Sequence, residues 1–386
     1  METFKGYKRP DGGCGIRNKV AIVSNVVCAN SVAQQIAARV PGAVPLLHTQ
    51  GCTRPLEKPT HIKCLVGLAT NPNIYGAVVI SLGCEGTPAS AIVEGIRKSG
   101  RPVELIVIQD AGTVASVEKG VEIASRMAAD AAKLEREDCP VSKLMIGLEC
   151  GGSDAMSGVT ANPAIGMLSD WLVERGGTTV LTEMTELIGT TQILVRRAKN
   201  EAVAERLLQA VQKAQDIAVQ VLGPNAGRAI APGNMDGGMS TIQEKSLGCM
   251  RKGGSSPIME VVDYGSKPSE QGLIIMDGPG NDAESITGLS AMGCQIIFFT
   301  TGRGNPLGHV VTPVVKVASN DELFARMPDN MDINCGVMLE EGYRFEDMQK
   351  EMVALMLRVA NGEQQTKAEI HDPEPILSLM TWTPAV

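Results

Sequence analysis

Aromatic side chains are scarce in this 386-residue chain: five Phe, four Tyr and two Trp make up 3% of it. With 42 Gly, that balance fits an α/β protein with many tight strand-to-loop turns better than a β-sandwich. No apolar run approaches the roughly 18 to 20 residues of a membrane span. The N-terminal METFKGY lacks the basic stretch and apolar core of a secretory signal, so a cytoplasmic protein with no membrane partner is expected. Basic residues are in the minority, 35 Lys and Arg against 43 Asp and Glu, and they are scattered rather than massed. That excludes a basic face for nucleic acid. There is no C-x-x-C pair, and no G-x-G-x-x-G follows a strand to open a helix, which argues against a dinucleotide-dependent oxidoreductase. Internal repeats and low-complexity tails are also absent.

What remains is a globular chain, 44% hydrophobic and long enough for two or three domains. From Lys19, VAIVSNVV is a continuous β-branched run of strand length, and Ser31 to Val40 then places Val32, Ala33 and Ile36 on one helical face. The alternation recurs. GAVVISLG (76–83) precedes a helix at Ala89–Lys98, VELIVIQ (103–109) one at Thr113–Leu134, and KLMIGLE (143–149) one at Asn162–Arg175. Further strands are expected at 272–277, 295–302 and 314–318, with helices at 198–221 and 344–360. Strands buried on both faces and alternating with helices predict an α/β fold of parallel sheets flanked by helices. The charged KLEREDCPVS (133–142) is the expected linker, dividing the chain into domains 1–136 and 141–386.

Ligands of open parallel sheets bind beyond the carboxyl ends of the strands. Here those positions carry Cys28, Cys84-Glu85 and Cys150-Gly151-Gly152-Ser153-Asp154, with His48 and Cys52 after the short run VPLL. If their strands lie side by side, Cys28, Cys84 and Cys150 converge as thiolate ligands for a metal or for an iron–sulfur cluster with one open iron. The competing reading is that each Cys packs as a small buried hydrophobe. In ECGGSDAMSGVTANPAIG (149–166), Ser153, Asp154, Thr160 and Asn162 stand just before a helix, a place suited to an anion. Arg303 and Arg17 are candidate carboxylate clamps, because a guanidinium fork matches two oxygens. Asn18 and Lys245 share such loops. Glu183 and Glu186 follow another strand as a possible base or ligand, and His48 is the best of four His for acid–base work.

The segments GYKRPDGGCGIRN, VVCAN, HTQGC, SLGCEG, LECGGSDAMSGVTANPAIG, LTEMTELIG, GNMDGG, EKSLG, DGPG, FTTGRGNPLG and MDINCG, in this order from residue 6 to 336, resemble the altronate and galactarate dehydratase family. The resemblance implies a metal-dependent lyase, usually needing ferrous iron (Fe2+), that acts on a small 2-hydroxy acid to give a 2-keto acid. Family members commonly carry a small extra domain ahead of the GYKRPDG-like segment, where this chain nearly begins. That implies a hetero-oligomer with a separate small subunit, the arrangement of the branch that converts (2R)-sulfolactate to pyruvate and sulfite. The sugar-acid hydro-lyase is the alternative. A scaffold subunit for a catalytic small partner is a third reading, opposed by the density of polar groups at the strand ends. The resulting assignments are His48, Asp154 and Glu183 for catalysis; Arg17, Asn18, Ser153, Thr160, Asn162, Lys245 and Arg303 for substrate; and Cys28, Cys84 and Cys150 for iron.

Overall fold

The structure is a computed structural model and describes residues 2–228, 230–373 and 375–383. Strands β1 (Thr3–Lys8), β2 (Cys14–Gly15), β3 (Lys19–Ser24), β4 (Ala43–Leu46), β5 (Ile74–Ser81), β6 (Val103–Val107) and β7 (Glu137–Pro140) occupy the first part of the chain, with helices α1 (Asn30–Arg39), α2 (Lys58–Ala69), α3 (Ala89–Lys98) and α4 (Ile108–Ala132). The apolar run at Lys19 becomes a central strand of a parallel sheet ordered β4-β3-β5-β6. Successive strand residues point to opposite faces. Val20, Ile22, Val78 and Ile80 therefore pack under α1 and α4, while Ala21, Val23, Ala77 and Val79 pack under α2 and α3. Gly112 has non-helical φ and ψ within α4, so its long regular part starts at Thr113, as the sequence reading expects.

The second part contains β8 (Met145–Cys150), β9 (Thr178–Leu181), β10 (Ile258–Asp263), β11 (Gly272–Asp277), β12 (Ile296–Thr301), β13 (Val314–Ala318) and β14 (Ile333–Asn334). Its helices are α5 (Ala161–Glu174), α6 (Thr191–Val195), α7 (Glu201–Leu222), α8 (Pro232–Asp236), α9 (Ile242–Cys249), α10 (Asp282–Met292), α11 (Asp321–Arg326), α12 (Phe345–Asn361) and α13 (Lys367–Ile370). The seven strands form one parallel sheet ordered β10-β11-β9-β8-β12-β13-β14. Leu148, Phe298 and Val317 face a core under α5, α7 and α12, while Ile297 and Phe299 face α10. The expected α/β architecture of parallel sheets between helices is present.

The expected linker is not a free connection. Glu137–Pro140 is β7, paired antiparallel with β1 in a small third sheet, because the Cys139 side chain alternates inward beside Phe4 while its charged neighbours face water.

The two parallel sheets share an apolar layer. Helix α2 of the first packs on α10 of the second, with Gly67 against the Ala291 backbone near both helix ends. Both helices start at the carboxyl edge of their own sheet and meet at the amino edges, so both carboxyl edges open on the same side of the molecule. At the amino edges buried amides join the halves. Asn73 donates to Gln295 O and Val311 O, while Gln295 Nε2 donates to Cys14 O and Lys143 O at 2.8 Å each and its Oε1 accepts from Met145 N at 2.6 Å.

Removing the Gln295 side chain strands three backbone groups in a site with 1% exposure. Unpaired buried polar groups cost on the order of 1–3 kcal/mol each before relaxation. The substitution Gln295→Ala is expected to lower unfolding free energy by roughly 2–3 kcal/mol, read as a lower urea midpoint; an unchanged midpoint would mean that these amides do not hold the halves together.

Candidate active site

The strand order of the large sheet reverses at β8: the chain moves from β8 to β9 on one side, and β12 pairs with β8 on the other. Crevices at such reversals are where open α/β sheets bind ligands. Here the loops after β8 and β12 are joined by hydrogen bonds from Gly151 N to Thr300 O and from Gly302 N and Arg303 N to Gly152 O. A side chain at Gly302 would overlap the Asp154 carboxylate, so glycine is required for the two loops to close on each other. Outside them lies a cleft of about 330 Å³ lined by Asp154, Asp236, Arg303, Asn320 and Arg326. A larger cavity of about 530 Å³, beyond Thr185 and Gly278–Gly280, is mainly apolar and suits a small charged acid less well.

Directly beneath the crevice lies a buried cluster of ionisable groups. Glu149 and Cys150 end β8, Glu183 and Glu186 follow β9, and α9 with the turn after it supplies Lys245, Cys249 and Lys252. Asp282 opens α10, and Lys316 comes from the middle of β13. Local sequence fixes these helices: Thr241 accepts from Glu244 N at the start of α9, and Asn281 accepts from Glu284 N at the start of α10. Within the cluster Lys252 Nζ donates to Glu183 Oε2 at 2.6 Å, with neither side chain exposed. Lys245 pairs with Glu186, whose other oxygen accepts from the Cys150 and Cys249 thiols at 2.9 and 2.8 Å. The two sulfurs are 3.3 Å apart. Ser285 donates to Glu149. Glu183 sits at φ 68°, a left-handed conformation uncommon for a residue with a side chain and one that clusters at functional sites.

Burial and the charge of Glu186 push the Glu183 carboxyl up to about 7. Glu149 is raised well above the ordinary carboxylate range, by burial and then by Glu183. One buried oxygen of each of these carboxyls, Glu149 Oε1 and Glu183 Oε1, lacks a hydrogen-bond partner. Burial would raise Glu186 too, but Lys245 and Lys252 hold it below the usual value. Asp282 is raised by burial and by Glu186, and it is the one acid of the four that reaches solvent. Lys316 is driven down to about 7 by burial, and its ammonium lies 3.5 Å over the Phe299 ring.

Two triplets of ligand-type atoms lie within 4.8 Å of one another, Cys150 with Glu186 and Cys249, and Glu149 with Glu183 and Asp282. They do not fit a divalent iron. Lysines already bind Glu183 and Glu186 directly, and Lys316 approaches Glu149 and Asp282, so the ion would enter among three ammonium groups. The carboxyls and ammonium groups of the cluster are placed to hold and exchange protons.

Several assignments from sequence change. His48 is buried and held down to about 4 by desolvation; Nε2 contacts Ser24 O at 2.7 Å and Nδ1 accepts from Gln50 N. Both nitrogens are used to shape a loop, so His48 is not the acid or base. Asp154 holds Ser157, Ser319 and Asn320 through four side-chain and backbone donors, so it braces the crevice. Arg17 grips Glu369 with two parallel bonds at 2.9 and 2.8 Å, and Asn18 joins Arg9 to Ala131 O; neither is free for substrate. Thr160 donates to Ser319 O and Asn162 accepts from Thr300. The start of α5 is no anion cradle, since Asn162 N and Ala164 N are bonded and Pro163 has no N–H. Ser153 is buried with an unpartnered hydroxyl beside Asn234, and Arg303 is half-exposed in the cleft. Glu183 and Lys245 stand in the cluster. Of the three thiols, Cys150 is buried here, whereas Cys28 and Cys84 are exposed on the other sheet, so they do not converge with it. Cys249, Lys252, Asp282 and Lys316 escaped the sequence reading. The signal for Lys316 was a lysine inside the strand VVKVA; for Cys249 and Lys252 there was none, because their helix returns to the sheet from far away in sequence.

Residues 141–383 match the family described as D-galactarate/altronate dehydratase, C-terminal, and residues 6–132 match D-galactarate dehydratase/altronate hydrolase, second domain. Among curated relatives, altronate dehydratase of Bacillus subtilis is 36% identical over 372 residues, covering 94% of this chain and 74% of the relative. Galactarate dehydratase (L-threo-forming) of Escherichia coli is 36% identical over 386 residues, covering 94% and 74%. The (2R)-sulfolactate sulfo-lyase subunit beta of Chromohalobacter salexigens is 33% identical over 371 residues, covering 95% and 94%.

Removing one partner of a fully buried ion pair leaves the other charge uncompensated, typically at about 3–5 kcal/mol. The substitution Lys252→Met is therefore expected to destabilise the protein by that order, and Glu183→Gln combined with it to recover part of the loss. Equal stability of the single and double variants in urea unfolding would show that the pair is not coupled.

Proposed function

The chain belongs to the D-galactarate/altronate dehydratase family and is a lyase, and from that premise we propose that it eliminates a β-substituent from a small dianionic 2-hydroxy acid. The observation that carries the reading is the coupled set of carboxyls and lysines with displaced proton affinities at the strand-order reversal, opened to solvent through Asp282. Arg303 lines the cleft with a half-exposed guanidinium fork available for an anionic end, while Arg326 beside it is paired with Glu322.

In this mechanism Arg303 holds the carboxylate. Asp282 takes the proton from the carbon bearing the hydroxyl; the electron pair left behind forms the C2–C3 double bond as the group on C3 departs, and the enol becomes a 2-keto acid. Burial raises the proton affinity of Asp282, which suits a base for a weakly acidic C–H. Lys245, held protonated by Glu186, stabilises the negative charge that develops on the substrate carboxylate and supplies a proton where the leaving group is hydroxide. Glu149, raised by burial, holds a proton behind Asp282. Cys150, Cys249 and Lys252 fix Glu186 and Glu183 in place.

(2R)-Sulfolactate, yielding pyruvate and sulfite, is the preferred substrate, since the Arg303 guanidinium suits one of its anionic ends and a relative matched over 94% of its length is named for that reaction. Galactarate, with two carboxylates, is the second reading, supported by a relative 36% identical that is named for it. A separate small subunit is part of the proposal, because the sulfo-lyase relative is itself named as a beta subunit. Ten free cysteines agree with action in the cytoplasm, and among the described residues no helix is long and apolar enough to cross a membrane.

The test is turnover of (2R)-sulfolactate, galactarate and altronate, with sulfite and 2-keto acid measured separately. Sulfite with an equal amount of pyruvate is the expected result. Keto acid from galactarate alone selects the second reading, and activity on altronate alone removes the requirement for two anionic ends. The substitution Asp282→Asn is expected to lower kcat by roughly 10²–10⁴-fold. In the intact protein kcat/KM should decline as pH falls through a value above the ordinary aspartate range, because the base must be deprotonated and its folded-state proton affinity is raised. An acid limb at an ordinary aspartate position, or full activity of Asp282→Asn, would remove it as the base.

A further inference from the structure

The motif GNMDGG (233–238) has no part in the mechanism above, yet it folds directly onto the crevice. The short helix α8 and the turn after it are seated on the loop that follows β8: Ala155 N donates to Gly237 O and Asn234 Nδ2 to Ser153 O, at 2.9 Å each. A side chain at Gly237 would crowd the Asp154 backbone at 3.0 Å, so this approach needs glycine there. Asn234 is only 2% exposed, although asparagine is mostly a surface residue. Its contacts account for the burial. The amide is oriented by backbone groups, since Oδ1 accepts from Ala231 N at 3.2 Å while Nδ2 donates to Ser153 O. The same Oδ1 accepts from Lys245 Nζ at 3.4 Å, and Lys245 is paired with Glu186. A chain of polar contacts therefore runs from the loop beside the cleft, through Asn234, into the buried cluster.

Two residues further on, the same element carries Asp236 to the cleft. Its carboxylate lies 3.9 Å from the Arg303 guanidinium, and the two side chains are 67% and 47% exposed. Arg303 is thus faced by an acid of its own chain at the place where a substrate anion has to bind. At that distance and exposure the pair is weak. It can give way to a carboxylate or sulfonate that presents two oxygens to the fork. Side chains two apart on a helix point in different directions, which is how one short element addresses a solvent-facing arginine and a buried lysine together.

We propose that α8 serves the reaction at two points: Asn234 is a positioning residue that holds Lys245, and Asp236 is a specificity-determining residue that occupies Arg303 until a substrate anion displaces it. The inference rests on the reading that Arg303 binds the anionic end of the substrate and that Lys245 acts at the reacting end. Lys245 carries a long, flexible stem, and a proton donor must be held in place to work. Glu186 supplies its charge partner and Asn234 a second, neutral contact, so the ammonium is oriented from both the β9 loop and α8. At the cleft, a ligand must offer Arg303 more than one loosely held carboxylate does. That favours anions able to grip both arms of the fork over neutral hydroxyl groups.

Two substitutions at Asn234 separate positioning from folding. Asn234→Ala and Asn234→Asp both lose the donor to Ser153 O, so both should melt earlier than the intact protein. Only Asn234→Ala loses the acceptor for Lys245, and it should lower kcat by roughly tenfold or more with KM little altered; Asn234→Asp, which keeps that acceptor, should recover most of the loss. Asp236→Asn should lower KM by about two- to five-fold, and the gain should vanish when Arg303 is also replaced by Ala. The same competition is read without turnover from phenylglyoxal labelling of Arg303, followed by mass spectrometry: inorganic sulfate should protect Arg303 at a correspondingly lower concentration in Asp236→Asn. Equal loss of kcat in the two Asn234 variants, or no loss in Asn234→Ala, overturns the positioning role. An unchanged KM and unchanged sulfate protection in Asp236→Asn, with Arg303→Ala still raising KM, overturn the role of Asp236 alone. If Arg303→Ala leaves KM unaltered, the reading of the cleft has failed, and the role of Asp236 falls with it.

Discussion

The ion pair between Lys252 and Glu183 is the constraint around which the catalytic half is organised. Neither side chain has any exposure, and at 2.6 Å each is the other's main compensation for leaving water. Such a pair adds little net stability over an apolar alternative but is costly to break, so it acts as a specification: α9 and the turn after it must return to the end of β9. Once they do, Lys245 and Cys249 are delivered to Glu186, and the Cys150 thiol at the end of β8 completes that set. The left-handed backbone at Glu183 is a local strain that this arrangement maintains.

The chemistry follows from crowding. Four carboxyls, Glu149, Glu183, Glu186 and Asp282, share a dry space with Lys245, Lys252 and Lys316, and burial separates their proton affinities instead of letting all ionise. Glu186 stays charged because two ammonium groups face it, and Glu183 is paired with Lys252, while Glu149 retains its proton. Pushing apart the affinities of neighbouring groups is how acid and base roles are assigned near neutral pH. The parallel sheet places that chemistry at an edge where two loops and an arginine-bearing cleft can hold a substrate.

Much of the scaffold was legible. The runs at β3, β5, β8 and β12 are apolar and β-branched, so burial on both faces could be read locally. Strand order was not legible, because pairing is a long-range property. Cys28, Cys84 and Cys150 occupy equivalent local positions, yet the first two share an edge with Cys52 while the third lies on a different sheet. Polar residues near a strand end were over-read as substrate contacts. Arg17, Asn18, Thr160 and Asn162 prove to satisfy backbone and loop groups, a demand that any tight edge creates. Charges placed inside apolar strands, Glu149 in MIGLEC and Lys316 in VVKVA, were the better indicators.

The central claim is that elimination begins with a proton taken from the carbon bearing the hydroxyl by this carboxyl-lysine set. Substrate deuterated at that carbon tests it directly, with the product examined by mass spectrometry after turnover in ordinary water. Release of the deuterium to solvent, and a 2-keto acid carrying only solvent hydrogen at the neighbouring carbon, is the expected result. Deuterium found intact at that neighbouring carbon, and found there equally with Asp282→Asn, would mean a transfer that does not pass through this carboxyl, and it would contradict the account.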